Sequence, residues 1–272
     1  MLRTSLGSLA VFVVSCGAAQ AGSDVFGSAG HYDDVWDTVE RPNEDDVDME
    51  DKIGDWNYGG RMELGYQSRS GNTDRTSMNT RILVGAERDR WGHAVELRAQ
   101  GATQDGETDE ERYFLAFKSE YEIRTANYLF GAANLEKDRI KNIDLETTEA
   151  VGYGRRLIKT DRHRLDAELG AGARQTRFRD ETPRSNEAIA RFATDYTWDI
   201  SDTAQLSHDT RLDVGVGGND RDVGESITSL SGTLVGNLSM NVSYAVRYDS
   251  ARNDEGQTTT DKITSIGLSY SF

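Results

Sequence analysis

Four histidines and a few carboxylate-rich runs are the residues of this 272-residue chain with the most chemical potential. The histidines are His31, His93, His163 and His208. Ser207-His208-Asp209 places the three residue types of a nucleophile–base–orienter array side by side. Such an array needs each member within hydrogen-bond reach of the next. Successive side chains of a strand leave opposite faces, so a strand here would turn His208 away from both neighbours and onto its outer face. No catalytic residue is predicted. His163 lies in a basic turn with Lys159, Arg162 and Arg164, and His93 closely follows Trp91; both read as rim residues. Asn219-Asp220-Arg221-Asp222 and Asn253-Asp254-Glu255-Gly256 offer oxygens suited to calcium, but neither has the spacing of a dedicated calcium loop. No glycine loop opens a helix to cradle phosphate. The sequence therefore predicts no metal site and no cofactor.

The elements that must position these residues have a period of two. From Trp56, the residues Trp56, Tyr58, Gly60, Met62, Leu64 and Tyr66 form one face, and Asn57, Gly59, Arg61, Glu63, Gly65 and Gln67 the other. This is strand alternation. Later apolar stripes run through Ile82 and Val84, Val95 and Leu97, Tyr113 to Ile123, and Tyr128, Phe130 and Ala132. They continue through Val151, Tyr153 and Leu157, Leu165 to Ala173, Phe192 to Ile200, Leu206 to Val216, Leu230 to Leu238, Val242 to Tyr248, and Ile266 to Phe272. That makes about twelve strands, within a range of 10–14 (the spread a per-strand reading leaves). Short turns, such as Arg88-Asp89-Arg90 and Ser201-Asp202-Thr203, alternate with longer polar stretches, such as Thr103 to Glu110, Glu136 to Glu146 and Ser250 to Asp261. Both prolines, Pro42 and Pro183, fall outside the stripes, as an unbroken ladder requires.

This pattern predicts an all-β fold: an antiparallel up-and-down transmembrane β-barrel over residues 54–272. A soluble barrel or sandwich would also alternate, with its apolar face inward. Charge decides between them. The face opposite the stripes carries Arg61, Glu63, Arg81, Glu96, Arg98, Arg112, Lys118, Asp166, Glu168, Arg174, Arg191, Asp195, Asp209, Arg211 and Asp213. Charge facing lipid costs about 2–4 kcal/mol near the midplane, whereas lumen charge can pair or be hydrated. Aromatics gather at the short-turn rim (Trp56, Tyr58, Trp91, Tyr128, Phe130, Tyr196, Trp198, Tyr270, Phe272), where a membrane interface favours them. Gly152, Gly154, Gly170 and Gly172 fall inside strands, where they relieve crowding on the lumen face or permit curvature.

The N-terminus is read separately. Arg3, the apolar run Leu6 to Val14 and Ala19-Gln20-Ala21 form a cleavable export signal over residues 1–21. The sequence around Cys16 loosely resembles a lipoprotein box, but Ala-Gln-Ala is the better processing site. Residues 22–53 are expected to be an acidic, mostly disordered periplasmic leader; ten acids and one base fall within 22–50. Tyr32, Val35, Trp36 and Val39 have helical spacing there, too short a stripe for a stable isolated helix. A formal net charge of -16 makes nucleic acid a poor partner.

The segments GYQSRSGNTDRTSMNTRILV (65–84), ERYFLAFKSEYEIRTANYLFGAANLEKDR (111–139) and GYGRRLIKTDRHRLDAELGAGARQTR (152–177) resemble the salt-induced outer-membrane protein family, barrels defined largely by a domain of unknown function. The resemblance covers about residues 54–272. It implies a bacterial outer-membrane location and a link to salt or osmotic stress, with no established reaction. The final strand, ending in Phe272, resembles the signature read by the barrel-assembly machinery, and lipid and lipopolysaccharide are the other expected partners. The expectation is a non-enzymatic envelope barrel. The alternatives are a small-solute channel and a surface lipase or protease.

Overall fold

The computed structural model describes residues 56–69, 75–139, 143–180, 183–217, 221–250 and 260–272. Twelve strands run β1 (Asn57–Arg69), β2 (Arg75–Arg88), β3 (Trp91–Gln104), β4 (Glu107–Arg124), β5 (Asn127–Asp138), β6 (Ile143–Lys159), β7 (His163–Phe178), β8 (Ser185–Ser201), β9 (Ala204–Gly215), β10 (Val223–Val235), β11 (Leu238–Asp249) and β12 (Thr260–Ser271). Each pairs with the next in antiparallel register, and β12 returns to β1, so the sheet closes on itself. Closure leaves no unpaired edge strand, the condition for a sheet that is to sit in an apolar medium.

The outer face is apolar. Leu64, Leu115, Val151 and Leu169 all point away from the lumen, and Val151 is 69% exposed. The opposite parity is buried and charged: Glu96 and Asp195 are almost inaccessible, as are Arg174 and Lys118. All fifteen charged residues expected on the enclosed face lie on inward strand positions, with Arg61 and Arg211 less deeply buried than the others.

The fifth stripe is a correction. Tyr128 and Phe130 were expected in the aromatic rim, but they lie inside the lumen at 1% and 4% exposure. Leu129 and Leu135 take the outer face instead. Glycines on the neighbouring strands make the room: a Cβ on Gly154 would strike the Tyr128 ring, and one on Gly152 would strike the Phe130 ring and the Leu169 carbonyl. Glycine there lets an aromatic ring lie flat across the ladder.

The connections also differ from expectation. The stretch Thr103 to Glu110 is mostly strand, and β3 turns into β4 through Asp105-Gly106 alone. Both residues have positive φ, +51° and +86°, the backbone of a two-residue type I′ hairpin. The β5–β6 strands likewise extend into Glu136 to Glu146. The strands are 12–18 residues long, more than the roughly 9–11 that cross a bilayer. The wall therefore continues upward past any apolar band.

The barrel closes through a short seam. β1 and β12 are in register from Arg61↔Ser271 to Leu64↔Leu268. Gly60 and Phe272 extend it with two backbone bonds, N–H to O at 2.8 and 2.9 Å. A Cβ on Gly60 would come within 2.6 Å of the Phe272 ring, so the ring lies directly over this glycine. The export signal, the leader, Cys16, His31 and the helical stripe at 32–39 lie outside the described residues, as does most of both calcium-like loops.

Candidate functional site: the ion-paired lumen

Period-two alternation on twelve strands brings acids and bases from distant parts of the chain to one enclosed surface. Most pair with the adjacent strand. Arg81 Nε donates to Glu96 Oε1 at 2.7 Å, and Arg98 Nε lies 3.1 Å from the same oxygen. The Arg98 guanidinium also covers the Phe114 ring, 3.9 Å from its centroid. Arg191 grips Asp213 through two bonds of 2.6 and 2.8 Å. Arg247 Nε donates to Glu225 at 2.9 Å. Such buried forks are strong because each partner satisfies the other's lost hydration.

Two knots reach beyond adjacent strands. Lys118 on β4 meets Glu168 on β7 at 2.6 Å and Glu120 at 2.8 Å. Tyr128 OH donates to the same Glu168 oxygen at 2.9 Å. This contact spans β5 and β6, and Gly152 and Gly154 on β6 leave the space for it. Nearer the long-loop mouth, Arg221, between β9 and β10, reaches Glu146 on β6 at 2.7 Å. It also forks onto Asp249 of β11 at 2.7 and 2.9 Å. Arg174 donates to the Arg221 carbonyl, holding its backbone. Burial alone would lower the Arg221 pKa, but Glu146 and Asp249 outweigh it and raise the value, so this side chain stays a cation across the mouth.

The lumen is divided rather than open. A cavity of about 60 Å³ lies at the long-loop side among Arg112, Glu146, Arg221 and Asp249. A second, of about 50 Å³, lies beside Glu96, Lys118, Phe130 and Arg191. A third, of about 20 Å³, opens at the short-turn rim among Glu87, Arg90, Glu122 and Arg156. The Lys118–Glu168–Tyr128 knot lies between the second and third. Acids outnumber bases on this surface: among the described buried side chains there are twelve carboxylates and seven basic groups. Asp166, Asp195 and Asp209 stand in register on β7, β8 and β9. Like charges directly opposite repel, so this row favours a cation nearby.

The expected chemical residues are not brought together. Ser207 and Asp209 face inward, while His208 faces outward with Nδ1 2.9 Å from Thr228 Oγ1. His93 stacks among Trp56, Trp91 and Phe117 at the short-turn rim. His163 stacks on Tyr196 and Trp198. Among the described residues, no three metal-ligating side chains are grouped to hold an ion. Sequence reading missed Arg221, which it placed in a calcium-like loop, and the inward rings of Phe114, Tyr128 and Phe130. Glycines at alternate positions of the adjacent strand were the available signal for the last two.

Residues 62–272 match the family model described as "Protein of unknown function, DUF481". The chain belongs to the DUF481 family. This DUF481 barrel is 24% identical over 220 residues to "Uncharacterized protein YdiY" of Escherichia coli (strain K12), covering 79% of this chain and 83% of that one. Among solved structures it is similar to the NanC porin, at a TM-score of 0.50 and 10% identity, over 78% of this chain and 98% of the porin. The KdgM porin in complex with disordered oligogalacturonate is similar at a TM-score of 0.45 and 10% identity, over 79% and 99% of the two chains. The NanC likeness supports the fold: a closed barrel of the outer-membrane porin kind.

Proposed function

We propose that this protein is a non-enzymatic outer-membrane barrel acting as a narrow, cation-preferring channel held closed by Arg221. The carrying observation is a lumen that is continuous in polarity but divided by ion pairs, with carboxylates in excess. Wide porins keep an aqueous channel, whereas eight-stranded barrels fill with side chains; twelve strands with interlocked ion pairs fit a narrow, gated path. The apolar outer face, with aromatic residues at the short-turn rim, is what lipid requires. Short turns then face the periplasm, where the export signal would deliver the acidic leader.

The salt-stress role implied by the family resemblance fits this lumen. Ion pairs near solvent weaken as ionic strength rises, whereas deeply buried ones are screened far less. The Arg221 bridge, at the mouth, is nearer solvent than the Lys118–Glu168 pair, so it opens before that pair. Phe272, seated on Gly60 at the closing seam, is the feature we assign to recognition by the barrel-assembly machinery. Lipopolysaccharide and phospholipid are the surrounding partners.

Planar-bilayer recording of the refolded mature chain tests the channel. Small steps with a reversal potential favouring cations support it. A bilayer that stays silent across the salt range leaves a plugged structural barrel as the answer.

A further inference from the structure

The outer face over β3, β4 and β5 carries a recess of about 330 Å³. Leu97, Leu115 and Leu135 stand in direct register across the three strands and line its lower end. Two residues nearer the long-loop rim, Ala99, Tyr113 and Lys137 form the next outward row. The wall dips because Ala99 offers only a methyl group between larger neighbours. A void against lipid forfeits the dispersion contacts of its lining, and an apolar one holds no water, so hydrocarbon fills it. Lys137 marks the polar end. It is exposed and lies ten residues along β5 from Asn127 at the short-turn rim. At about 3.3 Å per residue and a tilt of about 40°, that is about 25 Å up, the height of the apolar band of such barrels. The neighbouring acids have partners of their own. Glu111 pairs with Arg139 at 3.7 Å, Asp144 with Arg177 at 2.6 Å, and Glu136 with the inward Arg112 at 2.9 Å. Among the described residues, Lys137 is thus a cation with no acid of its own.

We propose that this recess seats one acyl chain of lipopolysaccharide, with a phosphate of the same molecule on Lys137. The Tyr113 ring lies beside both, at the depth a membrane interface favours for aromatic groups. A basic side chain at a membrane surface takes an anionic headgroup. Ala99 admits the chain, and Lys137 selects the charge of the molecule that carries it. The assignment rests on the outer-membrane reading above, because that reading puts the long-loop rim in the outer leaflet. Phospholipids share the phosphate chemistry; the leaflet selects lipopolysaccharide.

Native mass spectrometry of the mature chain tests this site, with three probes added in detergent. They are lipid A (the acylated, phosphorylated anchor of lipopolysaccharide), dephosphorylated lipid A and phosphatidylglycerol. The expected result is a retained lipid A adduct and much weaker adducts of the other two. Lys137→Gln lowers lipid A retention about fivefold, as one interfacial charge predicts. Ala99→Leu fills the recess and removes most of the adduct. Ala190→Leu, the same change at an exposed position of β8, leaves it intact. Equal retention of the three probes contradicts the proposal. So does a lipid A adduct unchanged by Lys137→Gln or by Ala99→Leu, or one lost equally in Ala190→Leu. Insertion of the wild-type chain into vesicles is scored separately. A chain that inserts but shows no preference for lipid A refutes this site alone, and one that fails to insert refutes the membrane reading.

Discussion

At the scale of single residues, the lumen behaves as a set of coupled charges in which removing one partner is worse than removing both. Lys118 is the central case, since its ammonium bridges Glu120 and Glu168. Lys118→Met leaves two buried carboxylates facing each other, and we expect a loss of about 3–5 kcal/mol. Urea unfolding from detergent measures it. Adding Glu168→Gln should recover a large part, because the orphaned charge is then gone. In the proposed channel, Arg221 acts on transport rather than on stability. Arg221→Ala removes the bridge between Glu146 and Asp249, and single-channel recording should show larger or more frequent openings. Asp195→Asn lowers the charge of the three-aspartate row. Its reversal potential in a salt gradient should move toward zero, and unchanged cation preference would remove that row from the selectivity argument.

At the scale of strands, the informative residues are glycines and the rings that cover them. A Cβ on Gly154 overlaps the Tyr128 ring, so Gly154→Val should abolish the compact, detergent-resistant form seen on unheated gels. Tyr128→Ala in the same chain should restore it if the clash is the cause. The same strands show why the sequence was legible in some places and not in others. β4 alternates cleanly between Tyr113, Leu115 and Phe117 outside and Phe114, Ala116 and Lys118 inside, and its face was readable because one parity ends in charge. β5 reads Tyr128-Leu129-Phe130-Gly131-Ala132-Ala133, apolar on both parities, so periodicity could not choose a face. The strand tops over Thr103 to Glu110 looked like a loop because both faces are polar there. The Asp105-Gly106 dipeptide was the hairpin signal that composition obscured.

At the scale of the molecule, the expected export signal and about twelve stripes pointed to a closed barrel, and the structure closes it with β12 on β1. The lumen pairs were not legible, because they join residues far apart in sequence. Glu146 meets Arg221 and Lys118 meets Glu168 only after the sheet has curled and fixed its stagger. The central claim is that the outer, apolar parity faces lipid while the charged parity is enclosed. Single cysteines at 113 to 118 on β4, spin-labelled one at a time in vesicles, test it most directly. Accessibility to a lipid-soluble relaxant should be high at Tyr113, Leu115 and Phe117 and low at Phe114, Ala116 and Lys118. A flat profile along the six positions, or the opposite parity, would contradict the account.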